Sequence, residues 1–422
     1  MNNKTLSNIF KGDKVVWMIF FFLCIISVVE VFSASSELTY KGGSYFSPLI
    51  KHIGILFLGI CCMIVTLNIQ CKYFKAVTPF MLPISFISLI WVLFAGQATN
   101  GAQRWVSFVG IQFQPSEIAK GTLVLATAQI LSAMQTDHGA DRRAFKFILI
   151  VCGFIIPLIG MENLSTAALL CVVIFLLMVI GRVPMRQLGK LVGITASFML
   201  VVFAGIMLIG KDNTQENTDK KLTEQVKDAR EEGALGKIFH RADTWKSRID
   251  KFASPKEPTP EEVDLDKDAQ VAHANIAIAS ANVVGKGPGN SVERDFLSQA
   301  FSDFIYAIII EELGIEGAVV VAVLYIMLLF RTGRIASRCE NNFPALLAMG
   351  LALLLVSQAL FNMCVAVGLV PVTGQPLPLI SKGGTSSMIN CIYVGVILSV
   401  SRSAKKKGES PKPKPQPVAA QA

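Results

Sequence analysis

Charge is scarce in this chain. Of 422 residues only 16% are Asp, Glu, Lys or Arg, while 52% are hydrophobic and the mean hydropathy is positive. Those proportions lie far from the soluble average and indicate a polytopic membrane protein. Nine cysteines are present. Cys24, Cys61, Cys62, Cys152, Cys171, Cys364 and Cys391 fall within apolar runs, and Cys71 and Cys339 fall in connections assigned below to the cytoplasm. With none in an outer connection, a disulfide framework is not indicated, and no Cys/His spacing resembles a zinc site. The net charge of +9 comes without a nucleic-acid motif or a contiguous basic domain, so no nucleic-acid partner is expected. The first apolar run lacks a small-residue cleavage site and reads as a retained signal anchor.

What is present is a series of apolar runs long enough to span a bilayer. They lie at about 15–33, 50–69, 77–96, 115–134, 145–161, 164–181, 188–210, 303–330, 344–370 and 383–401. The expected fold is an all-α polytopic integral membrane protein. About ten transmembrane helices are divided into seven over 1–210 and three over 303–402, with a large outer loop at 211–302 and a Lys/Pro-rich tail at 403–422. Basic residues such as Lys72, Lys75, Arg142, Arg143, Arg186, Arg331 and Arg334 occupy alternate short connections, which puts both termini in the cytoplasm. Most of 211–302 is charged and proline-bearing and reads as solvated. Trp245, Arg248 and Phe252 have the spacing of an interfacial helix, and HANIAIASANVVGKG is apolar enough to dip into the protein.

Polar chemistry collects at four places. The glycine-rich GKGPGNS leads to Asp303 at the start of the eighth run, and Glu311 and Glu312 follow roughly 12 Å deeper, where a carboxylate is either functional or internally paired. Asp303 itself falls in the wet interface, as an ionised acid or as a helix cap beside Ser302. In NGAQRWVSFVGIQFQPSEIAK, Pro115 suits a helix start with Ser116 as a capping residue. Glu117 and Lys120 share a helical face as either an intrahelical pair or part of a cationic receptor with Arg104, and Trp105 suits an interfacial belt. MENLSTA, residues 161–167, reads as a helix cap. GLVPVTGQPLPLISKGGTSS, residues 368–387, is too rich in proline and glycine to be regular, and such backbone is tolerated at depth only inside protein or beside a wet cavity.

NGAQRWVSFVGIQFQPSEIAK, GKGPGNS, FSDFIYAIIIEELGIEG and GLVPVTGQPLPLISKGGTSS, in this order on ten spans, resemble the SEDS family of bacterial peptidoglycan glycosyltransferases, over nearly the whole chain to about Arg402. The GNS after the glycine-rich turn is more similar to the cell-division branch than to the elongation branch. The resemblance implies polymerisation of lipid II on the outer face of the bacterial cytoplasmic (inner) membrane, at the division septum. Implied partners are lipid II, a class B penicillin-binding protein transpeptidase, other divisome proteins and membrane lipid. It places the essential aspartate on Asp303 and the outer-motif elements on Arg104, Trp105, Glu117 and Lys120. Its later elements fall on Glu311, Glu312, Thr373, Gly383, Gly384 and Ser386, and its Tyr-Gln element becomes Ala269 and Gln270.

Departures are Glu162 and Asn163 where the family has Pro-Asp, Ser302 for a threonine, and Lys382 for an aromatic. The implied reaction needs a base, for which Asp303 is the candidate, and cations for a departing pyrophosphate, for which Arg104 and Lys120 are candidates. A divalent cation, Mg or Mn, suits that leaving group, although no ligand set in the sequence establishes one. Intramembrane acids also describe a lipid flippase or transporter, against which the lack of an obvious inverted repeat counts, and a non-catalytic division scaffold is a third reading.

Overall fold

The computed structural model describes residues 11–34, 46–95, 97–99, 102–108, 111–137, 139–209, 269–297 and 302–404. Ten long helices fall on the ten apolar runs: α1 (Lys14–Ala34), α2 (Phe46–Asn68), α3 (Cys71–Ala95), α4 (Pro115–Ala133), α5 (Arg142–Glu162), α6 (Leu164–Ile180), α7 (Met185–Ile209), α9 (Ile305–Ala336), α10 (Asn342–Ala366) and α11 (Thr385–Ser403). A shorter helix, α8 (Ala269–Ser280), precedes the glycine-rich turn. Trp245, Arg248, Phe252 and the tail beyond Ala404 lie outside the described residues.

Six of the described helices, α1, α2, α3, α5, α9 and α10, are long and apolar enough on their own to cross a membrane. The chain is a multi-pass membrane protein. Large apolar side chains such as Phe22, Phe57, Phe80, Phe94, Phe154 and Phe330 point outward, as lipid contact requires. The helices inside the bundle are different in composition. α4 and α11 carry Ser, Thr, Gly and Asn because their neighbours are other helices, and small residues permit close approach where lipid provides no hydrophobic drive between helices. α11 packs most closely on α2, and a Cβ added at Gly395 would lie 2.8 Å from Met63 O. α10 is the central helix, bordered by α4, α6, α9 and α11.

The first and last helices meet at one face, where Asp13 N donates to Ser401 Oγ at 2.9 Å. Ser399 Oγ donates to Ile69 O at 2.6 Å, so the α2–α3 connection sits on the same side as both ends.

The all-α body has two small additions that the sequence reading did not contain. The stretch before α4 forms a three-stranded antiparallel sheet of β1 (Gln97–Thr99), β2 (Ala102–Phe108) and β3 (Ile111–Phe113), in which Trp105 pairs with Gln97 and Val106 with Phe113. β4 (Gln135–Thr136) and β5 (Gly139–Ala140) form a hairpin between α4 and α5.

Candidate active site

The irregular segment 371–384 has backbone groups that no helix or sheet satisfies, so surrounding side chains do it. Asn163 Nδ2 donates to Thr373 O at 3.4 Å, and Asn362 Nδ2 to Gln375 O at 2.7 Å. Gln358 Nε2 donates to Pro376 O at 3.1 Å, Tyr325 Oη to Pro378 O, and Ser27 Oγ to Ile380 O at 2.7 Å. Donors from α1, α9 and α10, and from the cap residue of α6, thus fix one extended chain in place. Gln375 Nε2 returns the favour to Thr166 Oγ1 at 2.7 Å.

Asp303 is tied to this segment through its backbone. Asn362 Nδ2 also donates to Asp303 O at 2.9 Å, and Ser381 Oγ donates to Ser302 O at 2.6 Å. Ser302 Oγ donates to Asp303 Oδ1 at 3.0 Å, with both residues half-buried. The expectation that Asp303 occupies the first turn of the eighth span, or caps it, is corrected: α9 begins at Ile305, its N-cap is Phe304, and no side chain caps it. The buried Phe304 ring, not a carboxylate, anchors that end, packing with Ala274, Ala277, Leu297, Ala307 and Ile308. Through this cluster α8 docks beside Asp303, with half-buried Gln270 one turn before Ala274 on the same helix.

Lys120 approaches the same segment from α4. Its Nζ lies 2.8 Å from Glu117 Oε1 and 2.8 Å from Gln358 Oε1, and the residue is only 1% exposed. Of the two readings of the Glu117–Lys120 spacing, the structure has the intrahelical pair, extended to a third partner. Tyr393 Oη fixes the start of α4 by donating to Glu117 O at 2.6 Å. The cap expected of Ser116 is corrected as well: Gln114 takes the N-cap position without a side-chain bond, Pro115 opens the helix, and Ser116 is buried within it. Trp105 is half-buried on β2, and the Arg104 side chain lies outside the described residues. Thr373 and Ser386 are buried, Ser386 N donating to Gly383 O at 3.0 Å. Burial, together with the charge of Lys51, pulls the Lys382 ammonium below its ordinary value.

Glu311 and Glu312 are internally paired. α9 breaks its helical geometry at Gly314, and the glycine-rich turn lies against the break. Lys286 N and Gly287 N donate to Glu311 O and Glu312 O at 2.9 and 2.8 Å. Lys286 Nζ contacts Glu311 Oε1 at 2.6 Å, Val292 N donates to that oxygen at 3.1 Å, and Ser291 Oγ donates to Oε2. Glu312 accepts from Gly289 N at 3.0 Å, Ser291 N at 3.3 Å and Ser33 Oγ, with Arg294 Nη1 at 3.8 Å. These acids hold a loop. Asn163 caps α6 as expected, accepting from Ser165 N and Thr166 N. Sequence reasoning passed over Gln358 and Asn362, although two amides one turn apart in an otherwise apolar run are a signal of an internal polar site.

A model of the FtsW/RodA/SpoVE family of cell cycle proteins matches residues 13–406. The chain belongs to this family. A relative from Geobacter sp. (strain M18), named probable peptidoglycan glycosyltransferase FtsW, is 30% identical over 399 residues, covering 92% of this chain and 96% of that protein. The peptidoglycan glycosyltransferase MrdB of Escherichia coli (strain K12) is 25% identical over 411 residues, covering 97% and 98%. A solved chain from a peptidoglycan synthase complex superposes with a TM-score of 0.66 at 22% identity, covering 93% of this chain and 98% of that one. The rod shape determining protein RodA of Thermus thermophilus superposes with a TM-score of 0.61 at 21% identity, covering 94% and 98%. Both share the family fold.

Proposed function

We propose that this chain is a peptidoglycan glycosyltransferase that polymerises lipid II into glycan strands at the outer face of the bacterial cytoplasmic membrane, during septal wall synthesis. The observation that carries the reading is the convergence of the Ser302–Asp303 turn and the Lys120–Gln358 brace on segment 371–384, in a chain whose relatives are named for this activity.

Joining two lipid II molecules requires a sugar 4-hydroxyl to attack an anomeric carbon that carries a pyrophosphate. Asp303 takes the hydroxyl proton as general base, oriented by Ser302 and by the hold of Asn362 on its carbonyl. Arg104 meets the departing pyrophosphate with its guanidinium fork, and Lys120 supplies a fixed positive charge from its buried seat, where low polarity strengthens its field. Trp105 and Gln270 border the substrate, the buried Glu117 and Ser386 act from behind that border, and Glu311, Glu312 and Thr373 support the backbone that carries it. Among the described residues no group of three or more His, Cys, Asp or Glu is arranged to hold a metal ion by itself. A Mg or Mn ion would come with the substrate's pyrophosphate, which supplies oxygen ligands and whose departure the ion would assist, and no step is routed through one. The partner is a class B penicillin-binding protein with other divisome proteins, a reading supported by the solved relative's place in a complex that couples polymerization with crosslinking.

The test is purified protein, with its transpeptidase bound, supplied with labelled lipid II in detergent. Polymer should form, and Asp303→Asn should lower it by about a hundredfold at equal amounts of folded protein. Near-normal polymer from that variant removes Asp303 from the base role, and translocation in vesicles with no polymer in detergent would make the chain a lipid flippase.

A further inference from the structure

Glu30 is the one acid of α1 beyond its first residues, set in the apolar VVEVFSAS, and it is 0% exposed. Neither of its carboxyl oxygens has a hydrogen-bond partner among the described residues. Ser33, one turn further along the same face, donates to Glu312, which brings the Glu312 carboxylate to the face of α1 that carries Glu30. Glu312 is itself saturated by Gly289 N, Ser291 N and Ser33 Oγ.

The local charges do not balance. Three buried carboxyl groups, Glu30 on α1 and Glu311 and Glu312 on α9, face two cations, Lys286 and Arg294, both supplied by the glycine-rich turn and its continuation. Lys286 is engaged with Glu311, and Arg294 is shared between Glu312 and Asp295, the latter at 3.5 Å. α2, which also packs against α1, carries the exposed Lys51 and the buried His52, whose Nε2 is taken by Ser27 Oγ at 2.9 Å, and segment 371–384, bonded to α1 at Ile380 O, carries the half-buried Lys382. α11 meets the start of α1 at Asp13 and Ser401 and brings Arg402 there, at the end of α1 away from Glu30. Among the described residues the buried Glu30 carboxyl therefore has no donor, and an unpaired charge there is a cost that an apolar interior does not sustain.

We propose that Glu30 and Glu312 form a proton-binding site, in which one proton is held on Glu30 against the Glu312 carboxylate and keeps the GKGPGNS turn seated on α9. A bare proton suits the geometry better than an alkali ion, because the surrounding oxygens are already committed to donors and Arg294 stands at 3.8 Å. With the proton present, Glu312 is the only charge of the pair and its bonds to Gly289 N and Ser291 N hold the turn. Loss of the proton leaves two like charges in one buried cluster, and the turn loosens together with the segment that leads to Asp303.

The test uses the purified full chain with infrared difference spectroscopy and labelled lipid II across pH. At neutral pH the wild type should show the carbonyl band of a protonated carboxyl that disappears on alkalinisation. The band should be absent from Glu30→Gln and displaced in Glu30→Asp, which also keeps the assignment available should the Gln variant not fold. Polymerisation by wild type should fall about tenfold per pH unit along its alkaline limb, while Glu30→Gln, which keeps the neutral shape, should lose that limb. Absence of any band assignable to Glu30 in the wild type overturns the site, as does an alkaline limb that moves when sodium replaces potassium.

Discussion

Lys120 and Gln358 are joined across the α4–α10 interface by a hydrogen bond of 2.8 Å, with both residues buried. The same amide turns its Nε2 to Pro376 O at 3.1 Å. One side chain thereby accepts from an ammonium and donates to an irregular backbone, which glutamine can do and neither glutamate nor leucine can.

Gln358→Leu should therefore remove two bonds at once, leaving Pro376 O unpaired and Lys120 with Glu117 alone. The expected loss is roughly 2–4 kcal/mol of stability, read as a lowered melting temperature in detergent. Adding Lys120→Met should restore part of it, because the stranded ammonium is then gone. Strictly additive losses in the double variant would show that the two side chains are not coupled.

Gly285 and Gly314 adopt φ of 78° and 71°, and a Cβ on either would run into the other's backbone. Gly314→Ala should prevent the glycine-rich turn from docking on the break in α9. Backbone strain alone costs about 1–3 kcal/mol, with the steric clash in addition. Proteolysis within 285–292 should become faster while the rest of the bundle stays intact. Unchanged protection of that turn would contradict the docking.

All ten spans were legible in the sequence because apolar length is a direct requirement of the bilayer, and their bounds differ from the helices by a few residues. The irregularity of 368–387 was legible from its prolines and glycines. What held that segment was not, since Gln358, Asn362 and Tyr325 lie in long apolar helices and their targets are carbonyl groups, which sequence does not display. The spacing of Glu117 and Lys120 put them on one helical face but left open whether they pair and how deep they lie, and depth makes the pair an internal brace. The small sheet around Trp105 was missed because its strands are only three to seven residues long.

Asp13 joins the first helix to α9. Its Oδ1 accepts from Val15 N and Val16 N, and Arg331 grips both oxygens, with Nη2 to Oδ2 at 2.7 Å. Burial pushes the carboxyl up, but Arg331 and the two amides outweigh it and hold it below the ordinary value. A carboxyl depressed by folding adds stability that is complete above its unfolded value, about 3.9, and is lost as pH falls through the folded one. Asp13→Asn retains the cap and should cost about 0.5–1 kcal/mol. Asp13→Ala should cost about 1 kcal/mol more. Asp13→Asn should converge on wild type in melting temperature only in acid, while Asp13→Ala should stay below both by the cost of the cap. A constant difference between Asp13→Asn and wild type from neutral to acid pH would exclude the ion pair as the source.

Asn362 carries the most direct link between the backbone of Asp303 and segment 371–384, donating to Asp303 O and Gln375 O from one nitrogen. If its role is to place the base, Asn362→Leu should act on the chemical step rather than on substrate capture. The expectation is kcat lowered by about ten- to a hundredfold, with KM for lipid II within about twofold. The unpaired carbonyls should also cost roughly 1–3 kcal/mol of stability, so rates must be compared per folded molecule with the transpeptidase bound. Combining Asn362→Leu with Asp303→Asn should add little to the second change, because a residue that positions a base has nothing to position once the base is gone. Full multiplication of the two losses would mean that Asn362 serves the reaction by another route.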